Sequence, residues 1–193
     1  MDKLAVILVE NREENISKAL DNHLAFIPNG ATFYNNWDCN SIEDYNILMT
    51  TKKFWESIAE ENILIIQHDS ALLRTGIEKF YKWDYIGATW NFEPFVGNGG
   101  LSFRHKSAML KIIDSIPYDG FTNEDVYFAK GCIELGLNIA PIKEANKFSC
   151  ETQYHLGTLG YHAIEKYLTP IQINKIKKQY DKPKIQRSKA NTK

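Results

Sequence analysis

Four groups of residues in this sequence could carry out chemistry. They are Asp69 at the end of "ILIIQHDS", the loop Gly97–Gly100, the acidic pair Glu124 and Asp125, and His162 in "GYHAIEKY". Carboxylate oxygens bind hard divalent cations, and a positioned carboxylate can also accept a proton during a reaction. An imidazole is a further ligand that Mn²⁺ tolerates, and a glycine loop lets backbone approach a ligand closely.

Each group also has a purely structural interpretation. Asp and Ser often close strands by accepting hydrogen bonds from backbone N–H groups, and acidic residues are expected in the first turn of any helix. "GNGG" matches neither the dinucleotide-binding fingerprint nor the P-loop. A single His in a loop is more often structural than a ligand. The order of these groups along the chain and the elements that support them must therefore decide between the structural and the functional interpretation.

The first third of the chain predicts alternating strands and helices. "KLAVILV" has the length of a buried strand, and apolar residues from Ile16 to Leu24 recur at helical spacing. "ATFY" predicts a second strand, "TTKKFWESIAEEN" a helix that begins at Thr50 or Thr51, and "ILIIQ" a strand buried on both faces. This order is typical of an α/β domain with a mostly parallel sheet flanked by helices.

Polar residues follow two of these predicted strands. They are Glu10, Asn11 and Arg12 after the first strand, and Gln67, His68 and Ser70 around Asp69. Because ligands of such sheets bind at the carboxyl ends of the strands, we expect these residues to line a ligand site. For Asn11, capping of the following helix is an equally good explanation.

The second half combines aromatic residues with glycines. "WDYIGATWNFEPFVGNGG" precedes a helix predicted near Lys106, and "TNEDVYFAKGCIELG" predicts a helix that begins at Thr122 or Asn123 and ends at Gly136. "LNIAPI" predicts a further strand, followed by a polar and aromatic loop and a last helix. Trp90 offers a flat aromatic face on which a ligand could stack.

The order of these motifs resembles the GT-A class of nucleotide-sugar glycosyltransferases. That class has a D-x-D metal motif at a strand end, a glycine loop, an x-E-D motif and a C-terminal metal-binding His. Several stretches are more closely similar to the glycosyltransferase-like domain of unknown function 5672, over most of residues 4 to 168. They are "ILIIQHDSALLR", "YIGATWN", "GNGGLSFRHKSAML", "EDVYFA" and "GYH".

The resemblance implies a single GT-A-like (Rossmann-like) domain over residues 1–174, with a role for each motif. Asp69 and His162 would bind Mn²⁺ or Mg²⁺, with His155 as the rival of His162. Asp125 would be the general base of an inverting transfer, supported by Glu124. The residues that would bind the nucleotide of the donor are Glu10, Asn11, Arg12, Gln67, His68 and Ser70. The loop residues Trp90, Asn98, Gly99 and Gly100 would contact the donor sugar or a glycan, lipid or protein hydroxyl acceptor.

One residue departs from the GT-A pattern. Gln67 stands where the first acid of the metal motif is expected, and an amide adds no charge to a metal site. The alternatives are therefore a catalytically silent relative that binds a nucleotide sugar or glycan, and a nucleotidyltransferase. The latter would need a glycine-rich basic signature near the first strand, where the sequence has "VENREEN".

The composition and charge of the chain limit the remaining classes of function and partner. The chain has 193 residues and a net charge of −1, but residues 175–193 hold eight Lys or Arg against one Asp. We expect this basic segment to be a disordered tail that at most touches an acidic membrane surface, whereas the acidic remainder argues against nucleic-acid binding. The absence of a long apolar stretch or signal peptide, and three unpaired cysteines, predict a cytoplasmic protein without a transmembrane segment.

Both acids of the x-E-D motif are predicted to lie in the first turn of a helix. A carboxylate there stabilises a helix by only about 0.3–1 kcal/mol. The sequence therefore predicts that neutralising either Glu124 or Asp125 leaves the fold intact.

Overall fold

The computed structural model describes residues 3–180, which form one mixed α/β domain. Its helices are α1 (Glu13–His23), α2 (Ile42–Met49), α3 (Lys52–Glu56), α4 (Lys106–Ser115), α5 (Glu124–Glu134), α6 (Ile142–Phe148), α7 (Ile164–Tyr167) and α8 (Pro170–Lys177), with 3₁₀ turns at Leu24–Phe26 and Ile77–Phe80. Its strands are β1 (Leu4–Ile7), β2 (Thr32–Tyr34), β3 (Asn62–Ile66), β4 (Ser70–Leu72), β5 (Tyr85–Ile86), β6 (Leu101–His105), β7 (Ser149–Cys150) and β8 (Gly160–His162).

The central sheet has five strands in the order β2-β1-β3-β6-β5. β1 runs parallel to β2 and β3, but β6 pairs antiparallel with both β3 and β5. The sheet is therefore mixed, and the prediction of a mostly parallel sheet was wrong. Parallel neighbours need a crossover connection, which helices α1 to α3 provide for β1, β2 and β3. No α-helix lies between β3 and β6 in the described chain.

Helices cover both faces of the central sheet, as predicted. Leu64 and Ile66 of β3 pack in one core together with residues of α1 and α6. Ile63 and Ile65 point to the opposite core, with residues of α3, α4 and α5. All five residues of β3 are buried, which confirms the prediction of a strand buried on both faces.

A second sheet of three short strands, in the order β4-β8-β7, lies beside the carboxyl end of β3. β4 and β8 are antiparallel, and their register places Ser70 opposite His162. This pairing brings the end of "QHDS" to "GYH", although more than ninety residues separate them in the chain. The sequence signal for these strands is weak because they are only two or three residues long.

The predicted helices are confirmed with shifted boundaries. Thr51 caps α3 by accepting a hydrogen bond from the Phe54 backbone N–H, and α5 begins directly after Asn123. Helix α2 was not predicted. The predicted strand "LNIAPI" is reduced to one bridge between Ile139 and Tyr85.

The C-terminal helix α8 continues to Lys177, beyond the predicted domain boundary at residue 174. Thr169 and Gln172 form a capping box at its start, and Pro170 occupies the first turn. Most of the predicted basic tail, from residue 181 onward, lies outside the described residues. Between residues 3 and 180, no helix is long and apolar enough to cross a membrane.

Candidate active site

A cavity of about 830 Å³ opens at the carboxyl ends of β1 and β3. The predicted site residues that line it are Glu10, Asn11, Arg12, Gln67, His68, Trp90, Asn98, Gly99, Gly100, Glu124, Asp125 and His162. The structure therefore brings most of the predicted site into one place. Asp69 lies at the edge, in contact with His162, and Ser70 and His155 do not line the cavity.

Asp125 projects from the first turn of α5 towards the glycine loop. Its Oδ2 accepts a hydrogen bond of 3.0 Å from the Gly99 backbone N–H, and its Oδ1 accepts one of 2.8 Å from the Val126 N–H. Burial and the neighbouring charge of Glu124 raise the pKa of Asp125 to about 6, against the opposing effect of Arg104. A carboxyl group with this pKa can take up a proton near neutral pH.

Glu124 faces inward and forms a buried ion pair with Arg104. The guanidinium donates from Nη1 to Oε2 at 2.5 Å and from Nη2 to Oε1 at 3.0 Å. The side-chain exposures are 0% for Arg104 and 3% for Glu124. Neutralising Glu124 would leave a buried guanidinium without its partner, so from the structure we expect a loss of stability at this position, unlike the expectation from the sequence.

Asn46 of α2 supports the start of α5, although no local sequence pattern singles this residue out. Its Oδ1 accepts a hydrogen bond from the Glu124 backbone N–H at 3.1 Å, and its Nδ2 lies 3.3 Å from Oδ1 of Asn123. Asn123, the predicted cap, makes no capping hydrogen bond of its own. A residue from a distant helix thus satisfies the first N–H of α5.

His162 lies between two carboxylates in the lining of the cavity. Nε2 is 3.2 Å from Oδ1 of Asp69 and 3.1 Å from Oε1 of Gln67, and Nδ1 is 3.1 Å from Oε1 of Glu151. Burial alone would lower the pKa of His162, but Asp69 and Glu151 outweigh it and raise the pKa to about 9. Near neutral pH the ring is therefore an imidazolium that donates from both nitrogens.

Asp69 stays ionised in these surroundings. Burial would raise its pKa, yet hydrogen bonds and charges from His162 and Lys166 hold the pKa well below its ordinary value. Lys166 contacts Oδ2 at 3.0 Å. Oδ1 makes no well-aligned hydrogen bond, although His162 is within ion-pair distance.

Glu151 is a site residue that the sequence interpretation missed. It is buried, lines the cavity, and accepts a hydrogen bond of 2.7 Å from Asn98 through Oε1. Its Oε2 has no hydrogen-bond partner. Asn98 itself adopts a left-handed conformation with φ of 56°. No local pattern singles out "SCETQ", because the role of Glu151 depends on contacts across the fold.

The residues after β1 are held together by Glu10. Its carboxylate accepts hydrogen bonds from the Arg12 guanidinium, from the Asn15 amide and from the backbone N–H groups of Asn11 and Arg12. The Arg12 side chain is the main cause that lowers the pKa of Glu10 to about 2. Asn11 donates to Asn40 rather than capping α1, so the structure does not support the capping alternative.

The three polar residues around Asp69 have different surroundings. His68 is partly exposed, with Nδ1 3.6 Å from Glu10, and Gln67 reaches His162. Ser70 is fully buried, and its hydroxyl contacts the Gln67 backbone and Nε2 of His23. Ser70 therefore stabilises the turn beneath the cavity instead of lining it.

Two glycines in the predicted loop allow close packing around the cavity. A Cβ atom at Gly97 would lie 1.9 Å from the Trp90 ring, and one at Gly100 would lie 2.2 Å from Nε2 of His162. Trp90 is buried and stacks on the exposed ring of Phe92 at 5.2 Å. Side chains at these two positions would displace the groups that line the cavity.

Most of this chain is similar in sequence to one protein family. Residues 29–162 match the family described as "Protein of unknown function (DUF5672)". The chain belongs to this family. A comparison with curated proteins finds no significant match.

Two solved glycosyltransferase structures are similar in fold to this DUF5672 protein. One is a glycosyltransferase involved in the glycosylation of the major capsid of PBCV-1, with a TM-score of 0.51 and 14% identity, covering 92% of this chain and 98% of that one. The other is the apo-form glycosyltransferase GlyE of Streptococcus pneumoniae TIGR4, with a TM-score of 0.52 and 11% identity, covering 88% of this chain and 55% of that one. At these identities the likeness shows a glycosyltransferase-like fold.

Proposed function

We propose that this protein is a glycosyltransferase that moves a sugar from a nucleotide-sugar donor to a hydroxyl acceptor with inversion of configuration. One observation carries the proposal. A single cavity contains Asp125, with a pKa raised to about 6, and His162, which contacts the ionised Asp69 at its edge. Transfer from such a donor needs a proton acceptor for the acceptor hydroxyl and positive charge for the leaving diphosphate.

Asp125 is the proposed general base. Its Oδ2 is oriented by the Gly99 N–H, and the side chain lines the cavity where an acceptor hydroxyl can approach. The hydroxyl proton passes to the Asp125 carboxylate while the hydroxyl oxygen bonds to the anomeric carbon and the bond to the diphosphate breaks. Because the attack comes from the side opposite the leaving group, the configuration inverts.

The donor set around His162 fits a divalent cation. Asp69 Oδ1 is a buried carboxylate oxygen without a hydrogen-bond partner, and Gln67 adds a carbonyl oxygen on the same Nε2 side of the His162 ring. Asp69 and Nε2 of His162 would hold Mg²⁺ or Mn²⁺, which neutralises charge on diphosphate oxygens when bound. Within residues 3–180 no three His, Cys, Asp or Glu side chains already surround one ion position. Oxygens of the donor would have to complete the coordination.

His162 must lose a proton before Nε2 can bind a cation. Its pKa of about 9 means that the cation competes with a proton at neutral pH. The imidazolium and Lys166 are themselves positive charges beside Asp69. Cation binding should therefore strengthen as the pH rises.

A donor panel tests the proposed function. The full chain is incubated with uridine and guanosine diphosphate sugars, with and without Mn²⁺ and acceptor glycans, and products are identified by mass spectrometry. We expect one donor to release its diphosphate faster when acceptor is present. Donor binding by calorimetry without release or transfer would instead identify a silent binding protein. A panel with neither binding nor transfer would contradict the proposal.

A further inference from the structure

Arg104 occupies a position in β6 that faces an apolar core. Leu101 and Phe103 of this strand point to one face of the sheet, so Arg104 points to the other, opposite Ile63 of β3. Its guanidinium carbon lies 4.8 Å from the ring centroid of Tyr85 and 5.4 Å from that of Phe128. Burying a charge among aromatic rings is costly unless every donor is used.

The partners of Arg104 lead to Asp125 by two routes. Through Nη1 and Nη2 the guanidinium holds Glu124, the residue that precedes Asp125 in the first turn of α5. Through Nε it donates to the hydroxyl of Ser102 at 3.1 Å, and that hydroxyl donates to the Gly99 carbonyl at 3.2 Å. The N–H of the same Gly99 donates to Oδ2 of Asp125.

We propose that Arg104 is a positioning residue that orients the Asp125 carboxylate by fixing both the first turn of α5 and the backbone of Gly99. This inference rests on the proposed role of Asp125 as the base. Arginine suits the position because its planar fork can donate to a carboxylate and to Ser102 at once, whereas lysine offers a compact point charge. The fit is close, since a Cβ atom at Gly99 would lie 2.2 Å from Oε1 of Glu124.

A purely structural role is the competing explanation. The ion pair could simply satisfy two buried charges, in which case replacing both partners by neutral residues of similar size should restore the protein. The double variant Arg104→Met/Glu124→Gln therefore separates the two explanations. It also removes the unpaired charge that could prevent the single variant Arg104→Met from folding.

The first measurement is made without substrate. In the native protein, ionisation of Asp125 should shift the amide proton of Gly99 in NMR spectra, with a midpoint near pH 6, because the two groups share a hydrogen bond. In the double variant we expect a folded protein in which Gly99 no longer follows this titration. Loss of the Glu124 and Arg104 charges can move the midpoint, so the amplitude decides. A Gly99 shift of native amplitude in the double variant would overturn the proposal, whether or not the protein transfers sugar.

The second measurement is steady-state transfer with the donor identified by the panel. We expect the double variant to lose roughly 100-fold in kcat, the cost of a misplaced catalytic group, with the donor KM unchanged. Arg104→Lys should lie between native and double variant, and Ser102→Ala should have the smallest effect because it breaks one route only. A double variant with native kcat would show a structural role.

Phe128→Leu is the matched control. Phe128 lies on the same helix and packs against the same guanidinium, but it has no polar contact with the two routes. We expect this variant to lose stability while keeping the Gly99 titration and kcat. If it loses kcat as much as the double variant does, loosening of the core explains the result and the proposal fails.

Discussion

Two aspartates of the candidate site, Asp69 and Asp125, have pKa values shifted in opposite directions. Asp69 lies beside His162 and Lys166, and these cations hold its pKa well below the ordinary value. Asp125 is desolvated beside the acidic Glu124, which raises its pKa to about 6. The same type of side chain thus stays charged at position 69, beside two positive groups, and can exchange a proton near neutral pH at position 125.

Asp125→Asn should have the largest effect on activity, and it tests whether Asp125 is the proton acceptor. An amide can keep the hydrogen bond from Gly99 but cannot accept the acceptor's proton. We expect turnover to fall on the order of 100- to 10,000-fold with unchanged donor binding. Asp114→Asn, which breaks an exposed ion pair between Asp114 on α4 and Lys52 on α3, is the control with native activity. Near-normal transfer by Asp125→Asn would place the base elsewhere, and NMR of the product anomer would show whether configuration is retained.

Glu124→Gln should have the largest effect on stability. It leaves the buried Arg104 without a counter-charge, which costs about 3–5 kcal/mol in the free energy of unfolding. Urea denaturation measures this loss. Glu134→Gln, at the exposed end of the same helix, should change stability by less than about 0.5 kcal/mol. Equal stability of the two variants would mean that Glu124 is not buried as a charge.

The pH dependence of the free energy of unfolding tests the raised pKa of Asp125. Because folding raises the pKa of Asp125, this group favours the folded state at low pH, and the benefit disappears as pH rises through about 6. At pH 8 the free energy of unfolding of Asp125→Asn should therefore exceed that of the native protein by about 2–3 kcal/mol. At pH 4 the two proteins should differ little. Denaturation of both proteins at the two pH values gives the difference. A gain that does not depend on pH would contradict the raised pKa.

Asp69→Asn should have a smaller effect, which we expect only on the binding of the divalent cation. Without its charge, we expect the increase in nucleotide affinity caused by Mn²⁺ to fall on the order of tenfold, as measured by calorimetry. Lys52→Met, which breaks an exposed ion pair with Asp114, is the control and should preserve the Mn²⁺ response. An unchanged response in Asp69→Asn would remove this residue from the proposed cation site.

The sequence was informative where a residue's neighbours are local. Strand β3, helix α5 and the glycine loop follow from apolar runs, caps and breakers, and the motif order brought Asp125 and His162 into one hypothesis. Arg104, Asn46 and Glu151 were missed because each acts through a partner distant in the chain. The mixed direction of the sheet was missed for a similar reason, since the pairing of β6 depends on connections rather than on its own residues.

The pairing of β4 with β8 has a consequence for how the protein is made. Ser70 lies opposite His162, so one wall of the cavity forms only after a segment near the end of the described chain folds back onto an early strand. Contacts between such distant segments form late, because a long loop must close first. During synthesis, a ribosome-bound chain would already hold Asp69 and Asp125 but would not yet contain His162. Catalytic competence should therefore appear abruptly, after the last strand has left the ribosome, and not increase gradually as the chain grows.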